Sequence, residues 1–162
     1  MQRINDKLII RETSEVDVPQ IFTLIRELAE YEKLSHSVSA DEEMLRQNLF
    51  GTDRYAYVVF AEYDGKIAGQ ALYFYNFSTF KGKPGIYLED LYVRPEYRKK
   101  GIGKALLNYL IDLAKVKNCG RVEWVVLDWN QSAIDFYKSL GAEPMDDWIV
   151  FRLREESFPA DK

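Results

Sequence analysis

The sequence predicts a single α+β domain whose sheet is antiparallel in its first half and receives a βαβ crossover near its end. Three observations carry this prediction. A short β-branched segment is followed by two helical patterns, three consecutive strand patterns fill the stretch from Tyr55 to Val93, and a long helical pattern after Gly103 leads back to an apolar strand. A chain of 162 residues with 47% hydrophobic residues buries one sizeable core, so residues 1–162 are expected to form one domain.

Each element has a local reason. KLIIRE, from Lys7 to Glu12, reads as a strand, and Thr13 and Ser14 suit the helix start that follows it. Val16, Val18, Ile21, Leu24, Ile25 and Leu28 then recur near the helical period, with Pro19 tolerated in the first turn. A second helix is expected from Ser39, spaced as a capping box to Glu42, through Met44, Leu45 and Leu49 to a stop near Gly51. YAYVVFAEY and KIAGQALYFYNF flank Asp64-Gly65 as a hairpin. IYLEDLYV is a third central strand that Pro95 ends. Ala105, Leu106, Tyr109, Leu110, Leu113 and Ala114 mark the long helix, closed by Asn118 and Gly120. RVEWVVLDW, SAIDFYKSL and WIVFRL read as strand, short helix and last strand, and a loose tail is expected after Phe158.

Composition narrows the function. A net charge of -4 argues against a nucleic-acid backbone as partner and permits a cationic one. No run of eighteen apolar residues is present, so no membrane partner is expected, and the acidic first thirty residues do not read as a signal or transit peptide. A soluble, cytoplasmic protein follows as the expectation. Cys119 is the lone cysteine and reads as a small, partly buried residue near a helix end; His36 is the lone histidine, in a serine-rich loop, so no metal cluster is expected.

The chemistry is carried by RKKGIGKAL, Arg98 to Leu106, where two glycines sit between a strand and a helix. A dinucleotide fingerprint needs a third glycine where Leu106 stands, and a P-loop needs a glycine at Arg98 and a hydroxyl at Ala105. Neither pattern is met. What remains is R-x-x-G-x-G before a helix whose first N–H groups lack internal partners, surrounded by Arg98, Lys99, Lys100 and Lys104. This predicts a metal-free pyrophosphate site.

LEDLYVRPEYRKKGIGKAL followed by WVVLDWNQSAIDFYKSLGA resembles the GNAT superfamily of acetyl-CoA-dependent N-acetyltransferases over nearly the whole chain. Within it, LIRELAEYEKL, YLEDLYV and the block from Trp129 are most similar to the diamine (spermidine/spermine) acetyltransferase group. The resemblance implies a mostly antiparallel, twisted, seven-stranded sheet flanked by about four helices. It also implies acetyl-CoA held by Arg98, Lys99, Lys100, Gly101, Ile102, Gly103 and Lys104, by the strand backbone of Leu91, Tyr92 and Val93, and by a second motif of Asn130, Ala133, Phe136 and Tyr137.

For catalysis the resemblance implies Glu89 as the group that accepts the amine proton, directly or through water, and Tyr137 as the acid for the departing sulfur. The amide near Val93 would polarise the thioester carbonyl. Tyr31, Glu32 and Asp90 match polyamine-contacting positions, with Glu89 beside them, and Phe80 stands near the amine channel where a tryptophan is expected. The implied partners are a small cationic amine, with a polyamine or diamine as the leading class, and a second copy in a homodimer. An amino acid such as thialysine or lysine, an antibiotic amine, a protein amine, or acyl-CoA sensing without catalysis remain as the alternatives.

Overall fold

The computed structural model describes residues 1–159, and the expected tail beyond Pro159 lies outside the described residues. The chain divides into two compact units, Met1–Val125 and Val126–Lys162.

The first unit holds a six-stranded sheet in sequential order: β1 (Gln2–Arg3), β2 (Leu8–Glu12), β3 (Tyr57–Tyr63), β4 (Lys66–Ser78), β5 (Lys83–Val93) and β6 (Val122–Glu123). The pairings from β1 to β5 are antiparallel, and β6 joins β5 in parallel. Asp64 and Gly65 both take positive φ, 49° and 74°, which is the backbone a two-residue hairpin turn requires.

α1 (Val18–Tyr31) is entered through a 3₁₀ turn at Glu15–Asp17, where the Ser14 N–H donates to the Asp17 carboxylate at 2.9 Å. Its Ile21, Leu24 and Leu28 pack with Leu49, Val58, Phe60, Leu72 and Tyr92 in one core cluster. α2 (Glu42–Phe50) starts later than its sequence suggests: Asp41 is the cap, accepting the Met44 N–H at 2.8 Å, so Ser39 lies outside the helix and its spacing to Glu42 is unused. α3 (Ile102–Val116) buries Ile102, Leu106, Leu107 and Leu110, and two residues past its end Asn118, at φ 53°, turns the chain. Cys119 follows, half-buried, as expected of a residue at a helix end.

The second unit contains α4 (Gln131–Ser139), closed by Gly141 at φ 84° with its N–H on the Lys138 carbonyl at 3.0 Å. The four expected helices are present, but six strands form among the described residues rather than seven. RVEWVVLDW is a strand only at Val122–Glu123, and WIVFRL makes none; its Ile149, Val150 and Phe151 are 72–90% exposed. A strand needs a ladder partner and a buried face, and β-branched residues alone supply neither.

Candidate active site

β5 is irregular where the sequence places its acids. Pairing with β4 passes from Tyr73↔Leu88 to Leu72↔Asp90, leaving Glu89 as an extra residue in a β-bulge. A bulge re-aims the side chain at that point, and the Glu89 side chain is exposed. β6 covers only Ile86 and Tyr87 on the other edge, so among the described residues the ladder from Leu88 to Val93 is open on that side. Those N–H and C=O groups are available to an extended ligand arm.

Gly69 makes this stretch of β5 possible. It pairs with Val93, and a Cβ there would collide with the Tyr92 carbonyl oxygen and stand 3.1 Å from the Val93 Cα. The glycine signals close backbone approach inside a strand.

Three carboxylates gather beside the bulge. Asp90 has its pKa pushed up to about 6, first by burial and then by the charges of Glu89 and Glu32. Glu32 caps the C-terminal end of α1, and burial raises its pKa too. None of the three has an ion-pair partner within 4.0 Å among the described residues. Nor are any three His, Cys, Asp or Glu among the described residues grouped to hold a metal ion. The cluster is short of positive charge.

The glycine turn has the geometry of an anion cradle. Lys99 and Gly101 both take left-handed backbone, at φ 62° and 77°, and α3 begins at Ile102 with its first N–H groups unpaired within the helix. Lys100 lies over the rings of Tyr63 and Tyr97 at 4.9 and 5.2 Å, which pins the turn to the end of β3. Arg98 donates from Nε to the Val93 carbonyl at 3.0 Å, and its guanidinium lies 4.6 Å from the Tyr31 ring centroid and 6.0 Å from that of Tyr92. Left-handed backbone, an open strand edge and basic side chains fit the pyrophosphate and pantetheine parts of coenzyme A.

In the second unit Asn130 caps α4, its side-chain oxygen accepting the Ala133 N–H at 3.3 Å. Two residues of the second motif thus have a local folding role. Phe136 and Tyr137 are half-buried neighbours with ring centroids 5.4 Å apart.

The structure therefore brings Tyr31, Glu32, Glu89, Asp90, Tyr92 and Arg98 into one region of the first unit. Phe80 is different: it is 98% exposed in the turn between β4 and β5. Gly69 and the Arg98–Tyr31 contact went unnoticed in the sequence. The glycine inside a strand pattern was a readable signal for the first; nothing local announced the second, whose partners are far apart in the chain.

The model of the Acetyltransferase (GNAT) family matches residues 19–142. The chain is 42% identical over 161 residues to the thialysine N-epsilon-acetyltransferase of Bos taurus, covering 93% of this chain and 94% of that one. It is 31% identical to the L-ornithine N5-acetyltransferase of Arabidopsis thaliana, covering 93% and 86%. Among solved structures, an aminoglycoside acetyltransferase from an uncultured soil metagenomic sample superposes with a TM-score of 0.77 at 26% identity, covering 94% and 100%.

Proposed function

The chain belongs to the GNAT family of acetyltransferases, and from that premise we propose that it moves the acetyl group of acetyl-CoA to the side-chain amine of a small acceptor that carries a second ammonium. The observation that carries the acceptor class is the cluster of Glu32, Glu89 and Asp90, none of which has a cation within 4.0 Å among the described residues. A thialysine-type amino acid is the first candidate, because relatives at 42% and 31% identity are named for thialysine and ornithine. A polyamine is the second, because clustered carboxylates suit more than one ammonium.

Bound acetyl-CoA supplies the thioester. Arg98, Lys99, Lys100, Gly101, Ile102, Gly103 and Lys104 hold its pyrophosphate, and the open edge from Leu91 to Val93 pairs with its pantetheine arm. The motif of Asn130, Ala133, Phe136 and Tyr137 is assigned to the same ligand by its resemblance to the family pattern. A primary amine, with a pKa of roughly 10, arrives protonated. Glu89 accepts that proton, directly or through water, so the nitrogen lone pair is free to attack the carbonyl carbon. The Val93 amide stabilises the negative charge on the carbonyl oxygen. As the C–N bond forms and the C–S bond breaks, the Tyr137 phenol donates its proton to the sulfur, and the second proton, released by the nitrogen as it becomes an amide, returns through water to restore the phenol. Tyr31, Glu32 and Asp90 hold the acceptor's other ammonium.

We take the whole chain as one catalytic domain, supported by a family match that runs through residue 125 to residue 142. It works in the cytoplasm as a homodimer. The exposed run of Trp148, Ile149, Val150 and Phe151 supports a second copy as its cover.

The test is thiol release from acetyl-CoA with thialysine, lysine, ornithine, putrescine and spermidine under identical conditions. Turnover with thialysine or ornithine above the polyamines supports the first candidate. Tight coenzyme A binding without release in any mixture overturns the catalytic reading.

A further inference from the structure

Arg98 does two things that bear on different substrates. It opens the phosphate-binding turn, and its guanidinium rests on the face of Tyr31, a residue of the acceptor region. The groove around it has a volume of about 510 Å³ and is walled by Glu30, Tyr31, Tyr92 and Arg94. Within that groove the Glu27 carboxylate is already held by Arg94 at 2.8 Å, whereas Glu30 has no ion-pair partner within 4.0 Å among the described residues. Two tyrosine rings with a carboxylate nearby form a seat for a cation, and a residue of the donor site fills it.

We propose that coenzyme A and the acceptor share this seat by exchange. The donor's pyrophosphate draws the Arg98 guanidinium off Tyr31 and Tyr92, and the acceptor's non-reacting ammonium takes its place. The inference rests on the acceptor reading given above. An exposed cation–π contact is weaker than a charge-assisted fork from arginine to phosphate, so the pyrophosphate wins Arg98. The reverse competition is uneven in the free protein, because the acceptor must displace a tethered cation. Donor binding removes that competitor, so acetyl-CoA or free coenzyme A tightens the binding of a cationic acceptor. By reciprocity the acceptor tightens coenzyme A by the same factor. The chain thereby favours filling the donor site before the acceptor site.

The experiment uses the full chain, coenzyme A and thialysine, with spermidine as a second amine. Nuclear magnetic resonance first follows the Arg98 Nε–H, which the Tyr31 ring shifts upfield in the free protein. Coenzyme A is expected to abolish that shift, and Tyr31→Leu to lack it from the start. Calorimetry then measures amine affinity with and without saturating coenzyme A. A tightening of about fivefold or more is expected in the wild type and in Tyr31→Phe, falling below about twofold in Tyr31→Leu. An Arg98 signal that coenzyme A leaves unmoved, with amines bound normally, overturns this proposal alone. Equal tightening in Tyr31→Leu also overturns it. Release of Arg98 without binding of either amine under any condition defeats the acceptor reading, and this proposal with it.

Discussion

The Arg94 guanidinium grips the Glu27 carboxylate through three N–H···O contacts of 2.8 to 3.2 Å, joining α1 to the end of β5. Its remaining arm donates to the Ile67 carbonyl at 3.0 Å, and its backbone N–H donates to the Ala68 carbonyl at 2.9 Å. One residue thus ties the helix bearing Tyr31 to the two strands beside the bulge. Arg94→Ala strands the Glu27 carboxylate and is expected to cost about 2–3 kcal/mol, while Glu27→Gln costs about 1 kcal/mol. Urea denaturation measures both; equal, negligible losses would show that the pair does not tie these elements.

Asp90 predicts a pH dependence. Its folded-state pKa of about 6 lies above the ordinary 3.8, so above pH 6 the fold carries an ionised group that burial and the neighbouring acids disfavour. That penalty disappears as pH falls from 6 toward 3.8, where the folded protein takes up a proton that the unfolded chain does not. Asp90→Asn should therefore be more stable than the wild type at pH 8, by at most about 3 kcal/mol, with the gap closing on acidification. Amine affinity should move oppositely in the wild type and weaken below pH 6. Melting curves of the two proteins at pH 8 and pH 5 check this, and a gap unchanged between them would count against it.

Glu89→Gln is expected to lower kcat by about 10²- to 10³-fold with little change in coenzyme A affinity, because the bulge residue is assigned proton transfer and not donor binding. Tyr137→Phe should behave likewise with a smaller loss. Collapse of coenzyme A binding in the tyrosine variant would make Tyr137 a packing residue.

Gly69→Ala places a methyl group against the Tyr92 carbonyl and the Val93 Cα. The strand that carries the amide proposed to face the thioester carbonyl must shift, so the KM for acetyl-CoA should rise about tenfold and stability fall by about 1–3 kcal/mol. Wild-type values for both would mean that the two strands separate without cost.

Gln70 is fully buried beside this region on β4, and neither its Nε2 nor its Oε1 has a hydrogen-bond partner among the described residues. Leaving both orphaned is costly, so Gln70→Met should stabilise the protein by about 1 kcal/mol or more. Destabilisation would point to a bound water that satisfies the amide.

Much of this was legible in the sequence. Asp64-Gly65, the Asn118 stop and the Arg98–Gly103 turn depend on backbone conformations that few residues adopt, so their identities announce them. The α2 cap was misplaced because Ser39 and Asp41 both offer side-chain oxygens, and only the actual entry direction of the chain selects Asp41. The bulge at Glu89 depends on register between two strands, which no window along one strand contains. The terminal strand was overread because WIVFRL has the residues of a strand without, among the described residues, a ladder to join.

The open edge of β5 has a further consequence, for solubility. An unpaired run of N–H and C=O groups is a template on which another chain can add itself, and Leu88, Leu91, Tyr92 and Val93 supply large apolar side chains along it. Glu89 and Asp90 sit in that run as like charges, so two copies aligned edge to edge repel each other. Like charges on an open edge disfavour edge-to-edge association, whatever their part in the proposed chemistry. Neutralising both at once would remove that repulsion, and a low yield of soluble protein could then be mistaken for a catalytic defect.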